Sequence, residues 1–220
     1  MPGQTDSSQQ HQHRRTVGIL LFDDVEVLDF AGPFEVFSVT GRSDGSYPFD
    51  VFTIAERTRP IAARNQLKVI PKHSFESFPK IDVLVIPGGF GTRREMLNQS
   101  LLDWVKDQAA QAEIVLSVCT GALILGRAGL LDGLAATTHH GAVSLLKEVA
   151  PAALVQDDRR VIDNGKFVVA AGVSSGIDAS FYVIARLLGK DVAEETARYI
   201  EYPLALLDDF APRGSVPAAP

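Results

Sequence analysis

Short runs of apolar residues recur along the chain, and longer segments with helical spacing of apolar residues separate them. The runs are continuously apolar, which is typical of strands covered on both faces of a sheet. They predict strands at 17–22, 51–55, 83–86, 114–118, 135–138 and 167–171. The segments between them predict helices at 33–39, 101–112, 120–127, 142–149, 177–188 and 192–200. This alternation predicts an α/β domain with a doubly wound, mostly parallel sheet sandwiched by helices.

Local signals add a hairpin and two tails to this outline. Asn164-Gly165 lies between two short apolar segments, so we expect one antiparallel strand pair there. Residues 1–15 are rich in Gln, Ser and His, and residues 212–220 in Pro, Ala and Gly, which predicts disordered tails. The remaining residues, 16–211, are predicted to form a single domain.

Composition and charge narrow the classes of function. The chain has 220 residues, 46% of them hydrophobic, and a formal net charge of -6. No apolar run approaches the roughly 20 residues of a membrane-spanning helix, and no secretory signal is evident, so we expect a soluble cytoplasmic protein without a membrane partner. The negative charge argues against nucleic acid as a partner, although the Arg93-Arg94 and Arg159-Arg160 pairs could contact small anions.

Cys119 is the single cysteine of the chain, so it can form neither an intramolecular disulfide nor a multi-cysteine zinc site. A free cysteine is most often a small buried apolar residue. Here, however, it stands where an apolar strand passes directly into a helical pattern, in Ser117-Val-Cys-Thr-Gly121. This is the arrangement of a nucleophile elbow, and the adjacent helix N-terminus is expected to favour the thiolate. The position favours a nucleophile over a packing residue.

Three further groups could take part in chemistry at such a site. The glycines of Ile86-Pro-Gly-Gly89 follow a strand and could supply an oxyanion-binding amide, or could serve chain reversal alone. Asp29 could be an acid beside the cysteine or a cap for the helix that we expect to begin near Pro33. His139 could act as a base for Cys119; on an extended strand His140 would then face the other way.

Several short blocks, taken in order, resemble the ThiJ/PfpI superfamily of class I glutamine amidotransferase-like proteins. Within it the blocks are particularly similar to those of isonitrile hydratases and of the sensor domains of AraC-type regulators. The resemblance extends from about residue 17 to 202 and implies a flavodoxin-like fold, commonly a homodimer. The blocks are LDFAGP at 28–33, IPGG at 86–89, SVCTG at 117–121, GLLDG at 129–133, ATTH at 136–139 and AGVSSGID at 171–178.

The resemblance implies that Cys119 is the nucleophile, Asp29 its acidic partner and Thr120 a residue lining the pocket. It also implies an oxyanion site made by the backbone N–H groups of Gly89 and Thr120. A charged Asp29 would raise the pKa of the thiol, so we predict that Asp29 is neutral when Cys119 is charged. We expect a small-molecule substrate, no cofactor and no metal.

The reaction that these residues suit best is hydration of an isonitrile to an N-substituted formamide through a thioimidate on Cys119. A non-catalytic small-molecule sensor is an alternative. A cysteine hydrolase or glyoxalase is another, and a contact between Cys119 and His139 would favour hydrolysis. The chain shows no room after Tyr202 for a helix-turn-helix module, so we do not expect a complete AraC-type regulator.

Overall fold

A computed structural model describes residues 14–204. The predicted tail at 212–220 and all but the last two residues of the predicted tail at 1–15 therefore lie outside the described residues. Arg15 is an exception, because it was predicted to end the first tail but pairs with Phe49 in the first strand. The strands are β1 Arg15–Leu20, β2 Phe49–Ala55, β3 Ile61–Ala62, β4 Lys68–Val69, β5 His73–Ser74, β6 Val83–Ile86, β7 Ile114–Val118, β8 Ala135–Ala136, β9 Leu154–Val155, β10 Val161–Asp163 and β11 Phe167–Ala170.

The main sheet has seven strands in the order β10-β11-β7-β6-β1-β2-β5. Neighbouring strands are parallel except β10 and β11, which form the antiparallel pair predicted from Asn164-Gly165. All residues of β6 and β7 are buried, as their continuous apolar sequences predict. The predicted doubly wound, flavodoxin-like α/β fold is confirmed.

Helices form two groups that pack on the sheet. One group consists of α1, α6 and α7, and the other of α2 to α5. From β1 the chain moves to β2 on one side, and from β6 to β7 on the other, so right-handed connections place the two groups on opposite faces. The helices are α1 Val27–Val39, α2 Thr92–Glu95, α3 Gln99–Gln111, α4 Gly121–Arg127, α5 Val143–Val149, α6 Ser175–Leu188 and α7 Lys190–Tyr199. Across residues 14–204 we find no helix with the length and hydropathy that crossing a membrane requires.

The start of α1 differs from the prediction. The helix begins at Val27, six residues before the predicted start at Pro33, which lies inside it. Proline is common in a first helical turn, whereas inside a helix it removes one backbone hydrogen bond and its ring clashes with the carbonyl group four residues earlier, so packing must stabilise such a helix. Here the apolar residues of α1 pack on the sheet, and Gly32 lies so close to Ile177 of α6 that a Cβ would be 2.9 Å from its side chain. Tertiary packing therefore outweighs the local signal.

The predicted strand at 135–138 is also revised. Only Ala135 and Ala136 are extended, and they pair with β9 in a separate two-stranded sheet. The chain then leaves the extended conformation, and a 3-10 turn begins at His140. His139 consequently lies in a loop and not at the end of a strand of the main sheet.

Candidate active site

Cys119 occupies the predicted sharp turn between β7 and α4. Its φ of 56° lies in the left-handed region, which residues other than glycine rarely adopt. The turn is tightly held, because the Cys119 N–H donates to the carbonyl oxygen of Ala171 at 2.7 Å and the Thr138 hydroxyl donates to the Cys119 carbonyl at 2.9 Å. A Cβ on Gly121 would overlap the carbonyl oxygen of Ile86, so the turn requires glycine there. The strained backbone places the cysteine at the carboxyl edge of the sheet.

The thiol is enclosed rather than open to water. Cys119 is 5% exposed. Burial, and next the charge of Asp29, raise the pKa of the thiol to about 11, while the backbone groups of Val173 and Thr120 lower it. The Thr120 amide at the start of α4 lowers this pKa as predicted for a helix N-terminus, but desolvation of the thiolate is the larger effect, so the net shift is upward.

Asp29 lies in the first turn of α1 with its carboxyl group fully buried beside the thiol. Oδ2 accepts a hydrogen bond from the Gly88 N–H at 2.9 Å, whereas Oδ1 has no partner of ordinary hydrogen-bond geometry within residues 14–204. No side chain caps α1, which excludes the capping role. Burial raises the pKa of Asp29 to about 7; the Gly88 amide and a hydrogen-bonding interaction with Cys119 oppose that shift, and the charge of Glu26 adds to it.

Together these pKa values describe a pair that shares one proton between about pH 7 and about pH 11. The charge of Asp29 raises the pKa of Cys119, which disfavours a state with both groups charged, and a neutral Asp29 beside a charged Cys119 stays a prediction. The shared proton can lie on the sulfur of Cys119 or on a carboxyl oxygen of Asp29, and a single proton transfer converts one arrangement into the other.

The Gly88-Gly89 turn approaches Thr120 very closely. A Cβ on Gly88 would be 2.5 Å from the Thr120 nitrogen. The Gly89 N–H donates to the Thr120 hydroxyl oxygen at 2.9 Å, and the same hydroxyl donates to the Gly89 carbonyl at 3.1 Å. The Thr92 hydroxyl also donates to this carbonyl, at 2.8 Å. The N–H group of Gly89, which was predicted to be an oxyanion donor, is thus already hydrogen-bonded, and the side chain of Thr120 fixes this turn.

Val173 is a residue near the thiol to which the sequence analysis gave no role. Its backbone group lowers the pKa of Cys119, and its φ of 32° shows a second strained backbone position beside the cysteine. The sequence carried a signal for it, because residues that follow neighbouring parallel strands meet at one edge of a sheet. Residues 171–173 follow β11, which pairs in parallel with β7 so that Ala170 lies opposite Val118.

The hydrogen bonding of His139 differs from that expected of a base for Cys119. Its Nδ1 accepts the Gly141 N–H at 3.1 Å, and among the described residues no hydrogen bond joins it to Cys119. Its ring lies 4.2 Å from that of His140, so the expectation that the two face apart is wrong, since the chain is no longer extended there. Burial, then the charges of His140 and Arg93, lower the pKa of His139.

A cavity of about 420 Å³ adjoins the cysteine turn. It shares Thr138 and Val173 with the surroundings of Cys119, and its wall also carries His139 and Arg160. A larger cavity of about 540 Å³ lies where β1 and β2 end and includes none of these residues. The smaller cavity is therefore the candidate substrate site.

Comparison with known proteins supports the resemblance found in the sequence. An isonitrile hydratase from Pseudomonas putida is 36% identical over 204 residues, which cover 92% of this chain and 85% of that protein. The transcriptional regulator GbdR of Pseudomonas aeruginosa is 24% identical over 88% of this chain, and the match spans 52% of the regulator.

Solved structures show the same fold. A ThiJ/PfpI family protein from Pseudomonas syringae matches 100% of this chain and 86% of its own with a TM-score of 0.78 and 26% identity. DJ-1beta of Drosophila melanogaster matches 86% of this chain and 98% of its own with a TM-score of 0.74 and 18% identity. Residues 15–186 match the DJ-1/PfpI family as a whole. The chain belongs to the DJ-1/PfpI family.

Proposed function

We propose that the protein is a cysteine-dependent hydratase that converts an isonitrile to an N-substituted formamide. The observation that carries the proposal is the buried pair of Cys119 and Asp29, in which a thiol and a carboxyl group share a proton without a histidine. The 36% identity to an isonitrile hydratase along most of both chains supports the same reaction.

In the first step the sulfur of Cys119 attacks the terminal carbon of the isonitrile. An S–C bond forms while the carbon lone pair takes the shared proton from Asp29, which gives a thioimidate. The backbone N–H groups of Thr120 and Val173 point towards the sulfur and would stabilise its negative charge before the attack. The buried carboxyl group thus serves as the acid.

In the second step water adds to the thioimidate carbon. Asp29, now a carboxylate, takes a proton from that water and passes it to the nitrogen, which leaves Asp29 free to accept the hydroxyl proton of the adduct. Collapse of the adduct breaks the S–C bond, releases the formamide and returns the sulfur and the proton to the pair. The sum is the addition of one water molecule to the isonitrile.

The arrangement suits hydration better than amide hydrolysis. Hydrolysis needs a group that protonates a departing amine, a role often taken by histidine. His139 is held by Gly141 and makes no hydrogen bond with Cys119 among the described residues. Hydration expels no amine, so an acid at Asp29 is sufficient.

A small-molecule sensor is the second candidate. The similarity to GbdR over 88% of this chain favours it, because a domain shared with a regulator would need to bind a ligand but not to transform it. A sensor would be stabilised by the isonitrile without forming product.

The test is to incubate the purified protein with cyclohexyl isocyanide and follow N-cyclohexylformamide by NMR. We expect product with the parent protein and a loss of at least about 1,000-fold in Cys119→Ala, the scale seen when a nucleophile is removed. Cys119→Ser is the matched control, because it keeps the side-chain shape but is a poorer nucleophile. An adduct with the mass of the isonitrile on Cys119 would identify the thioimidate. Product formation that is equal in parent and Cys119→Ala would refute the proposal.

A further inference from the structure

Two neighbouring arginines differ sharply in their partners. The guanidinium of Arg94 bonds to Glu95 at 2.9 Å and to the Asp23 carbonyl at 2.7 Å, and lies 3.8 Å from the carboxylate of Asp24. Arg93 is half-buried, yet no carboxylate of residues 14–204 lies within ion-pair distance of it. Charged groups withdrawn from water are normally paired. Arg93 therefore holds a positive charge for which the described residues supply no counter-ion.

Arg93 is fixed against the same turn that organises the cysteine site. Its Nη1 donates to the Gly89 carbonyl at 3.3 Å and contacts the Thr92 hydroxyl oxygen at 3.2 Å. That carbonyl is the one to which Thr120 donates its hydroxyl. One nitrogen of the Arg93 guanidinium thus contacts two neutral oxygens. The other N–H groups of this guanidinium make no hydrogen bond within residues 14–204.

Charged groups of both signs lie around Arg93, but the described carboxylates among them form no ion pair with it. The guanidinium groups of Arg64 and Arg93 both contact the Phe90 ring, at 4.7 Å and 5.4 Å from its centroid. Glu26 is the carboxylate that acts on both Asp29 and His139, and it forms no ion pair with either arginine. The charge of Arg93 acts on His139, a residue that lines the 420 Å³ cavity, so Arg93 is a positive charge near the candidate substrate site.

We propose that Arg93 is a specificity-determining residue that binds a carboxylate on the substrate of the Cys119 site. The inference rests on the proposed function and names its substrate class, an isonitrile whose organic group carries a carboxylate. A guanidinium group and a carboxylate can form two parallel N–H···O hydrogen bonds. Such a charge-assisted pair is stronger in a half-buried position than in water. The Phe90 ring lies against the Arg93 guanidinium, with its centroid 5.4 Å away, and limits the positions that this group can take.

A binding experiment tests the inference without catalysis. The probes are N-formylglycine, the product expected from isocyanoacetate, and its neutral counterpart N-formylglycinamide, and binding is followed by NMR titration. We expect the parent protein to prefer the carboxylate, and Arg93→Gln to weaken N-formylglycine binding about 10- to 100-fold, as the loss of a hydrogen-bonded charge predicts. N-formylglycinamide should be affected less than about 3-fold. Arg93→Lys should recover part of the affinity.

Arg94→Gln is the matched control, because it removes the same charge one residue away from a group that is already paired. It should bind N-formylglycine like the parent protein, and thermal melting verifies that both variants fold. Equal affinity for the two probes in the parent protein, or equal loss in Arg93→Gln and Arg94→Gln, would overturn the inference. Arg93-dependent binding of N-formylglycine by a protein that hydrates neither isocyanoacetate nor cyclohexyl isocyanide would refute the proposed reaction and leave the carboxylate site supported.

Discussion

Asp29 and Asp178 are both fully buried, and each lies in the first turn of a helix on the same face of the sheet. Asp178 accepts hydrogen bonds from Arg160 at 2.6 Å and from the Tyr202 hydroxyl at 2.7 Å. Asp29 accepts one hydrogen bond from a backbone amide and lies beside a thiol. Its other carboxyl oxygen has no partner of ordinary hydrogen-bond geometry among the described residues. The same residue type in similar backbone positions thus has two different environments.

The difference separates a structural carboxylate from a reactive one. A buried carboxylate with an arginine partner holds elements together, here α6 and the chain near Tyr202. A buried carboxylate without a cation can exchange its proton near neutral pH, as the raised pKa of Asp29 to about 7 indicates. Incomplete pairing, rather than burial alone, identifies the group available for chemistry.

Replacing Asp29 by asparagine should have the largest effect on activity. Asparagine keeps the shape and can still accept the Gly88 amide, but it has no proton to donate, so we expect hydration to fall about 100- to 10,000-fold, the range for loss of a general acid. Formamide production measured by NMR at pH 8 gives the result. A change smaller than about 3-fold would show that Asp29 is not the acid.

Replacing Asp178 by asparagine should instead reduce stability. The substitution removes the counter-ion of Arg160, whose side chain is 43% exposed and so partly solvated, and the free energy of unfolding should drop by about 1.5–3 kcal/mol. Urea denaturation of the parent and Asp178→Asn proteins measures the difference. If Asp178→Asn were as stable as the parent protein, the structural role of Asp178 would be wrong.

Asp29→Asn should affect stability in the opposite direction, and only at higher pH. Folding raises the pKa of Asp29 from 3.8 to about 7, so the folded state holds the proton more tightly and loses stability as pH rises between these values. The uncharged asparagine avoids this loss, so at pH 8 the variant should be more stable by up to about 4 kcal/mol, at about 1.4 kcal/mol per pKa unit. At pH 4 the two proteins should unfold at similar urea concentrations.

The shared proton also predicts the pH dependence of hydration. Below about pH 7 both groups are protonated and no thiolate is available, whereas above about pH 11 both protons are lost. Activity should therefore rise through about pH 7, and at pH 5 it should be about 100-fold lower than at pH 8, tenfold for each pH unit below that pKa. A rate that is flat from pH 5 to 8 would contradict a shared proton.

Thr92→Val should produce a smaller change through the Gly88-Gly89 turn. It removes the hydroxyl that holds the Gly89 carbonyl, and so loosens the amide of Gly88 that keeps the pKa of Asp29 from rising further. We expect a rate about 10-fold lower, the scale of one lost hydrogen bond, and a pH profile shifted to higher pH. Thr92→Ser should restore both, whereas a merely structural defect would leave the position of the profile unchanged.

The sequence predicted the central features of the fold because its strands are buried on both faces. β6 and β7 have the predicted bounds, since continuous apolar runs mark them clearly. The start of α1 was missed because Pro33 is a local signal, while the residues before it become helical through packing on the sheet. Local propensity is a weak guide where tertiary contacts decide.

The site was predicted in part for similar reasons. A glycine-flanked cysteine at the end of an apolar strand indicated the turn, and the structure has Cys119 there with Asp29 beside it. The pairing of Gly89 with the Thr120 hydroxyl could not be predicted, because it depends on distances between separate loops. The catalytic roles, the homodimer and the cytoplasmic location stay predictions.

The depth of Cys119 has a consequence for the shape of its reaction partner. With 5% of the residue exposed, little room is left for an incoming molecule, so a reactive atom at a narrow tip would reach the sulfur most easily. An isonitrile presents its electrophilic carbon at the tip of a linear group, whereas an amide carbon carries substituents on both sides and would have to displace the wall around the sulfur. A recessed nucleophile therefore selects slender functional groups before any specific contact is made.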